Sequence, residues 1–531
     1  MSTSLRPPSL GPIVGHTTPT SARIWIRGAE FLESRSVGIA ALFQKNRYVP
    51  KSARYFRLHR EYDRTGITDF EGLMPDTSYQ VKTASLMMDS SGVNASVTDE
   101  DVYKKLPNPE IWIDELKGLQ SDESEANFCT FPNPPLPNSK GLRSKEQELR
   151  FIFGSCRYPG LLWKKSLSDR IFDAIYQRFK TSSTGSSSPR FVLMVGDQIY
   201  ADKFNKNIPI GLADTEEEFR ERYLTAFGSP NMRRLLRSVP QYMILDDHEI
   251  EDNWVQGRIK NRESRALFNI AISAYMSYQW IHSPRSYDKR LYYHFACAGY
   301  PFFVTDCRTQ RIRDDEDTCI EDNHMLGNPA KESALGYEGQ IDILCGWLQE
   351  QQKLVGNRPK FVVFGSVFVP NNVSSVVKKD AQGQPIKDHR WKDDAWAAFP
   401  KTRQQILKTI MDHGIQNVVF LSGDIHCSNV AEISFHHNKK GRLPIKAFAI
   451  TSSAFYWPFP FADGDPLDYV HDSQLEGDGF AVDPEVTMHY KAMDFEQDDN
   501  FIEVSVGEKT LTAETFNKEG TSLRVSKLTL A

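Results

Sequence analysis

Phe191-Val-Leu-Met-Val-Gly-Asp-Gln-Ile-Tyr-Ala-Asp202 is the stretch from which the chain is best read. Phe191 to Val195 is a continuous apolar run, as expected for a strand of a parallel sheet covered on both faces. Gly196 ends the run and permits a tight turn. Asp197 and Tyr200 then follow the carboxyl end of the strand, where α/β sheets place their ligands. A carboxylate there can bridge two cations, and a phenolate suits a hard, highly charged ion such as ferric iron. The same pattern also fits a turn Asp with a Tyr packed back on the core, so the stretch does not decide the chemistry alone.

Other strands end in the same way. Arg150 to Gly154 is followed by Ser155-Cys156-Arg157, and Gln241 to Leu245 by Asp246-Asp-His-Glu249 with Asp252 and Asn253. Asn417 to Leu421 leads into Ser422-Gly-Asp-Ile-His426. Taken singly, Cys156 fits a structural core thiol, Asp246 a helix cap and His426 a satisfied turn residue. Four strand ends that each carry a thiol, carboxylate, phenol or imidazole point together to a metal centre.

The composition narrows the function classes. The 531 residues exceed one typical domain. A net charge of -5 with 25% charged residues gives no nucleic-acid or basic membrane signature. The amino-terminal residues show no apolar leader core, and no run of 18 apolar residues is present. Seven dispersed cysteines, an odd number, do not form a disulfide framework, so a reduced, intracellular (cytoplasmic) setting is expected. Asn94-Ala-Ser and Asn372-Val-Ser match the glycosylation pattern, which also arises by chance. Oligomeric state is not legible.

Three regions are expected. Residues 1–130 read as a β-sandwich, with alternation in Ala22 to Arg27 and a Tyr79 placed like the tyrosine corner of fibronectin-type domains. Residues 131–148 hold Pro132, Pro134, Pro135 and Pro137 and read as a stiff spacer. Residues 149–531 alternate strands and helices, the mark of an α/β sheet. Helices are expected over Leu167 to Arg178, Glu216 to Phe227, Arg262 to Ile281, Gln340 to Leu354 and Thr402 to His413, with closing strands from Phe501 to Leu530. Two long polar excursions, 311–335 and 371–392, are loops of functional length or plain insertions.

Gly196-Asp-Gln-Ile-Tyr200, Asp246-Asp-His-Glu249 and Gly423-Asp-Ile-His426 resemble the metallophosphoesterase superfamily, and the first of them its purple acid phosphatase branch. The fuller resemblance is to PhoD-like phosphatases (the alkaline phosphatase D family), through Ser155-Cys156, Asp306-Cys-Arg308, Leu335-Gly-Tyr-Glu-Gly-Gln340 and Trp396-Ala-Ala-Phe-Pro-Lys-Thr-Arg403. The helix start at Leu335 is one residue longer than the family pattern. The resemblance implies a metallophosphoesterase-type β-sandwich core flanked by helices, α/β (α+β) in class, behind a fibronectin-like all-β domain.

It also implies a set of roles. Cys156, Asp197, Tyr200 and His426 match the ligands of a first metal, suited to Fe3+. Asp197, Asp247 and Asp424, with Asn253 completing the shell, match an oxygen-rich second site for Ca2+, with Mg2+, Mn2+ or Zn2+ as substitutes. No His follows Gly365, where many relatives carry one. His248 corresponds to a residue beside the leaving group, and Arg157 or Arg308 to a partner of the phosphoryl oxygens; Arg308 equally fits a buried partner of Asp306, and His248 a structural hydrogen bond. The implied activity is hydrolysis of a phosphomonoester or phosphodiester by in-line attack of a metal-activated hydroxide. A phospholipase-type phosphodiesterase, a hydrolase acting on another ester or amide, and a non-catalytic phosphate-ligand binding protein are the alternatives.

Overall fold

The computed structural model describes residues 3–29, 34–89, 103–135, 148–160, 166–181, 188–202, 211–286, 290–313, 323–372, 394–459 and 466–531. The Asn94 triplet, the end of the Asn372 triplet, residues 136–147 of the proline-rich stretch and much of both long excursions lie outside them.

Two mixed sheets face each other. In the first, Leu149–Gly154, Val192–Met194 and Gln241–Met243 run parallel, and Asn500–Val506, Thr510–Asn517 and Ser522–Thr529 extend the sheet antiparallel. In the second, Tyr300–Val304, Lys360–Val363, Val418–Ser422 and Ala447–Thr451 are parallel. Tyr293–Cys297 closes one side of that block, and Ser428–His437 and Val486–Glu496 close the other.

The organising strand shows why its sequence is apolar throughout. Phe191, Leu193 and Val195 enter the core between the sheets, with Phe151 and Phe302. Val192 and Met194 point the other way, into a core shared with helices Arg170–Thr181, Glu216–Phe227, Pro230–Leu236 and Arg262–Tyr278. Period-two alternation between two covered faces leaves no polar side to the strand. Helices Gln340–Val355 and Pro400–Asp412 cover the outer face of the second sheet. The order of layers is therefore helix, sheet, sheet, helix.

Residues 3–129 form a six-stranded and a three-stranded sheet. Val14, Ile24 and Ile26 meet Leu42, Phe56 and Val81 in a core between them. The Tyr79 hydroxyl accepts a hydrogen bond from the Met74 backbone N–H at 3.0 Å, the back-reaching contact of a tyrosine corner. Short helices at Ile113–Gly118 and Ser121–Ser124 interrupt what the sequence presents as all-β. Within the described part of the proline-rich stretch, Phe131 is fully buried and packs on Phe191, so its chain is anchored to the second core.

The three-stranded sheet docks on the helices. Leu10, Ile13 and Trp25 share a core with Tyr223 and Tyr278. Trp25 Nε1 donates to the Ser277 carbonyl at 2.9 Å, and Arg23 spans Asp69 at 2.7 Å and the Ser283 carbonyl at 2.6 Å.

His282 is buried at this junction. Burial first, then the nearby Arg23 charge, pushes its pKa down to about 3. The unfolded imidazole titrates near 6.5, so above that pH both states are neutral and full stability is present. Between 6.5 and 3 only the unfolded chain takes the proton, and stability falls as pH falls. We expect His282→Phe to reduce the loss of stability between pH 7.5 and 4.5 by roughly 3 kcal/mol, measured as the change in denaturant midpoint. An unchanged acid dependence would show that this imidazole is not depressed.

Candidate metal centre

The carboxyl ends of both parallel blocks meet at one seam. Three loops of the first sheet bring Cys156, Asp197 with Tyr200, and Asp246 to Glu249. Loops of the second bring Asp306 to Arg308 and Asp424 to His426. The loops are laced by backbone bonds: Cys156 N–H to the Gly196 carbonyl, Arg157 N–H to Asp197, and Phe455 N–H to Ser155. Close packing requires glycine here. A Cβ on Gly196 would lie 2.4 Å from the Asp246 Cβ, and one on Gly423 2.2 Å from Ser155 Oγ.

Five site residues adopt the left-handed backbone that non-glycine residues avoid. Cys156, Asp197, Asn253, Asp424 and His426 have φ of 56°, 55°, 55°, 77° and 52°. Each such conformation costs on the order of 1–3 kcal/mol, and such residues cluster at functional sites.

A thiol, a carboxylate and a phenol converge. Cys156 Sγ lies 3.3 Å from Asp197 Oδ2, and the Tyr200 hydroxyl 3.5 Å from the same oxygen. All three residues are buried. Burial raises the pKa of each well above its usual range, and the neighbouring acids add to the shifts. A buried thiolate and phenolate need a cation to hold their charge.

Beside them, oxygens of Asp197, Asp246, Asp247 and Asp424 lie within 4.8 Å of one another. The first three are buried and Asp424 is partly exposed. Asp197 Oδ1 and Asp246 Oδ2 are buried without a hydrogen-bond partner among the described residues. The counter-charge is Arg308, fully buried, with its Nε on Asp246, Nη2 3.3 Å from Asp247 and 3.7 Å from Asp424, and Nη1 2.6 Å from Asp394. Arg311 holds Asp394 in turn and reaches Ser366 Oγ at 2.5 Å. Burial pushes Asp246 up to about 6 against the pull of Arg308. Asp247 is held below its usual range by Arg308 and His248 despite its burial. Two guanidiniums do not neutralise these carboxylates, and orphaned oxygens in a cluster of acids fit a hard cation.

His248 completes the pocket. Its Nδ1 bonds Asp202 Oδ1 at 2.6 Å, and its ring stacks on Tyr200 at 4.3 Å. Burial disfavours the imidazolium, but Asp247, Asp202 and Asp197 outweigh it and raise the pKa well above 6.5. Glu249, burial-shifted up to about 7, accepts from the backbone N–H groups of Asp197, Gln198 and Asp246 at 3.1, 2.7 and 3.0 Å. It thereby ties two of the loops together.

Four residues named from sequence lie differently, and the first is Arg308: expected at the phosphoryl oxygens, it is fully buried with its guanidinium on Asp246, Asp247, Asp394 and Asp424. The Arg157 guanidinium turns away, donating to the Ala226 carbonyl, to Ser229 Oγ at 2.7 Å and to the Ser168 carbonyl at 3.3 Å, with Asp169 at 3.7 Å. A buried guanidinium takes the nearest acceptors rather than face the cluster unpaired. Asn253 serves Asp247 through its backbone N–H at 2.6 Å, while its side chain bonds Asp252. The His426 ring lies flat on Trp457 at 3.6 Å and belongs to neither set of described residues whose ligand atoms all lie within 4.8 Å of one another.

Sequence reasoning did not single out Asp394, Asp202 or Glu249, and it left Asp246 within its motif without a ligand role. Asp202 and Glu249 stood in stretches already quoted, but their partners are brought together only by the fold. Asp394 lies two residues beyond the long polar excursion 371–392 and carries no local pattern.

Fold and site define a class: an α/β protein of two packed sheets whose strand ends form an acidic cluster able to hold a cation, with a thiol, a phenol and an imidazole nearby. The sequence profile of the PhoD-like phosphatase family matches residues 168–458, more than half of the chain. The protein belongs to the PhoD-like phosphatase family. Alkaline phosphatase D of Bacillus subtilis (strain 168) is 25% identical over 222 residues, 40% of this chain and 36% of that protein's length. A solved structure described as "Structure of PhoD" matches with a TM-score of 0.60 at 17% identity, over 98% of this chain and 89% of that one. At that identity the likeness speaks for the fold. No helix among the described residues is long and apolar enough to cross a membrane.

Proposed function

We propose that the protein is a metal-dependent phosphoester hydrolase acting on phosphomonoesters or phosphodiesters. The observation that carries the reading is the group of four carboxylates, with oxygens lacking partners, at the strand ends of a PhoD-like phosphatase. Cys156, Asp197 and Tyr200 would hold an Fe3+-type ion, with His426 reaching it by turning off Trp457. Asp197, Asp247 and Asp424, now joined by Asp246, would hold Ca2+ or a similar ion. A cation pair in such a site supplies Lewis acidity to the phosphoryl oxygens and makes a water molecule acidic enough to attack in line.

The chain's own residues account for the rest. Asp202 fixes the His248 ring through Nδ1, so Nε2 carries the proton for the departing oxygen. Asp202, which takes no part in the proposed cation sites, favours the charged form of His248 through this bond, which suits a proton donor. Arg308 holds Asp246, Asp247 and Asp424 in register, and Asp394 with Arg311 holds Arg308. Arg157 fixes the loop after Cys156 to Ser229, a positioning role.

The reading is tested by chelation and restoration. Metal-free protein is expected to lose phosphoester hydrolysis and to regain it on adding Fe3+ with Ca2+, with carboxylic and sulfate esters run alongside. Elemental analysis and a visible charge-transfer band would report the thiolate–phenolate site. Hydrolysis that survives complete metal removal would overturn the proposal.

A further inference from the structure

One cavity beside the site shares only His426 and its backing Trp457 with the chemistry described above. It adjoins His426, encloses about 230 Å³, and is lined by Trp457 and Phe459 together with Gln497, Asp498, Asp499 and Lys518. The volume lies below the ~300–1,000 Å³ of pockets for drug-sized ligands, so it suits one ring system rather than a chain.

Its aromatic wall is continuous with the site. Trp457 lies on His426 at 3.6 Å and 9°, and Phe459 meets Trp457 at 5.0 Å. Tyr158 packs edge-on against Tyr200, Trp457 and Phe459 at 5.2, 5.6 and 5.1 Å. A ligand group leaving the acidic cluster on this side therefore meets π-faces out to Phe459, which is 38% exposed. Aromatic faces alone would take any apolar group. The remaining lining is polar and built: Asp499 accepts from the Trp457 backbone N–H at 3.1 Å and from Lys518 Nζ at 3.1 Å. Gln497 and Asp498, which are exposed, and Lys518 offer donors and acceptors that the edge of a ring can engage and an alkyl chain cannot. A planar ring with a hydrogen-bonding edge satisfies both halves of the lining.

We propose that this cavity is a subsite for a nucleobase-like heteroaromatic group carried by the ester, its face on Phe459 and Trp457 and its edge toward Lys518 and Asp498. The inference rests on the phosphoester reading of the adjoining centre.

The test separates the two. Adenosine, which has no phosphate, is titrated by calorimetry into the chelated full chain, with glycerol as the non-aromatic control. Adenosine is expected to bind and glycerol not to. Phe459→Ala, at a rim position that leaves the core packed, is expected to weaken adenosine about tenfold, the scale of one lost base–aromatic stack. Lys518→Ala is expected to weaken it less. In metal-loaded protein Phe459→Ala should raise KM for adenosine monophosphate about tenfold and leave glycerol phosphate unchanged. Absence of adenosine binding, or equal binding by wild type and Phe459→Ala, overturns the subsite even if phosphoesters are hydrolysed. Phe459-dependent adenosine binding without any hydrolysis supports the subsite and counts against the hydrolase reading alone.

Discussion

Asp197→Asn is expected to lower phosphoester turnover by more than about 10³-fold while making the metal-free protein more stable. The two effects have one cause. Asp197 is buried, one oxygen sits beside Cys156 Sγ and the Tyr200 hydroxyl, and the other has no hydrogen-bond partner among the described residues. It is the residue common to both proposed cation sites, so loss of its charge weakens both. Without cations the same charge is a liability, because burial and the carboxylates of Asp247 and Asp246 raise its pKa well above the usual range. Asn keeps the shape, and it tolerates the left-handed backbone better than most residues, so the loop at φ 55° is retained. Steady-state rates with restored metals, and denaturant unfolding in chelator, measure the two halves. Near-wild-type turnover would remove Asp197 from the chemistry, and a drop in metal-free stability would show that its charge is compensated by something else.

Arg308→Met is expected to destabilise the chelated protein by about 3–5 kcal/mol, the usual penalty for removing one partner of a buried ionic network. Arg308 is fully buried and touches Asp246, Asp247, Asp394 and Asp424. Met fills much of the volume but leaves those carboxylates facing one another. A divalent cation in the cluster would supply the missing charge, so added Ca2+ should recover more stability in the variant than in wild type. Unfolding curves with and without Ca2+ read this directly. A destabilisation that Ca2+ does not relieve would place the cation elsewhere.

Much of this was legible in the sequence, and the limits have physical causes. Phe191 to Val195 and Asn417 to Leu421 announced themselves because strands covered on both faces must be apolar throughout. The helix Glu216–Phe227 was expected with these bounds, and the structure shows Thr215 and Glu218 forming a reciprocal cap at its start. Strands Ser428–His437 and Val486–Glu496 were not singled out. In the second, Val486, Met488, Tyr490 and Ala492 are buried while the residues between them include Thr487, His489 and Lys491, a one-faced alternation easily read as a polar segment. The strand ends that gather Cys156, Asp197, Asp247 and Asp424 were visible, because ligand residues follow turns directly. The turning away of Arg157, the Asp394 clamp and the backing of His426 by Trp457 were not. Each depends on partners about 30 to 90 residues distant, which no local pattern encodes.

The left-handed backbone at Cys156, Asp197, Asn253, Asp424 and His426 has a consequence for how relatives of this protein drift. Every one of these positions would fold more easily as glycine, so the strained side chains persist only while their chemistry is under selection. A descendant that loses the activity is released from that constraint at several sites at once. Glycine appearing at two or more of them, in a sequence whose core strands are otherwise intact, would mark a lineage that kept the scaffold and gave up the reaction.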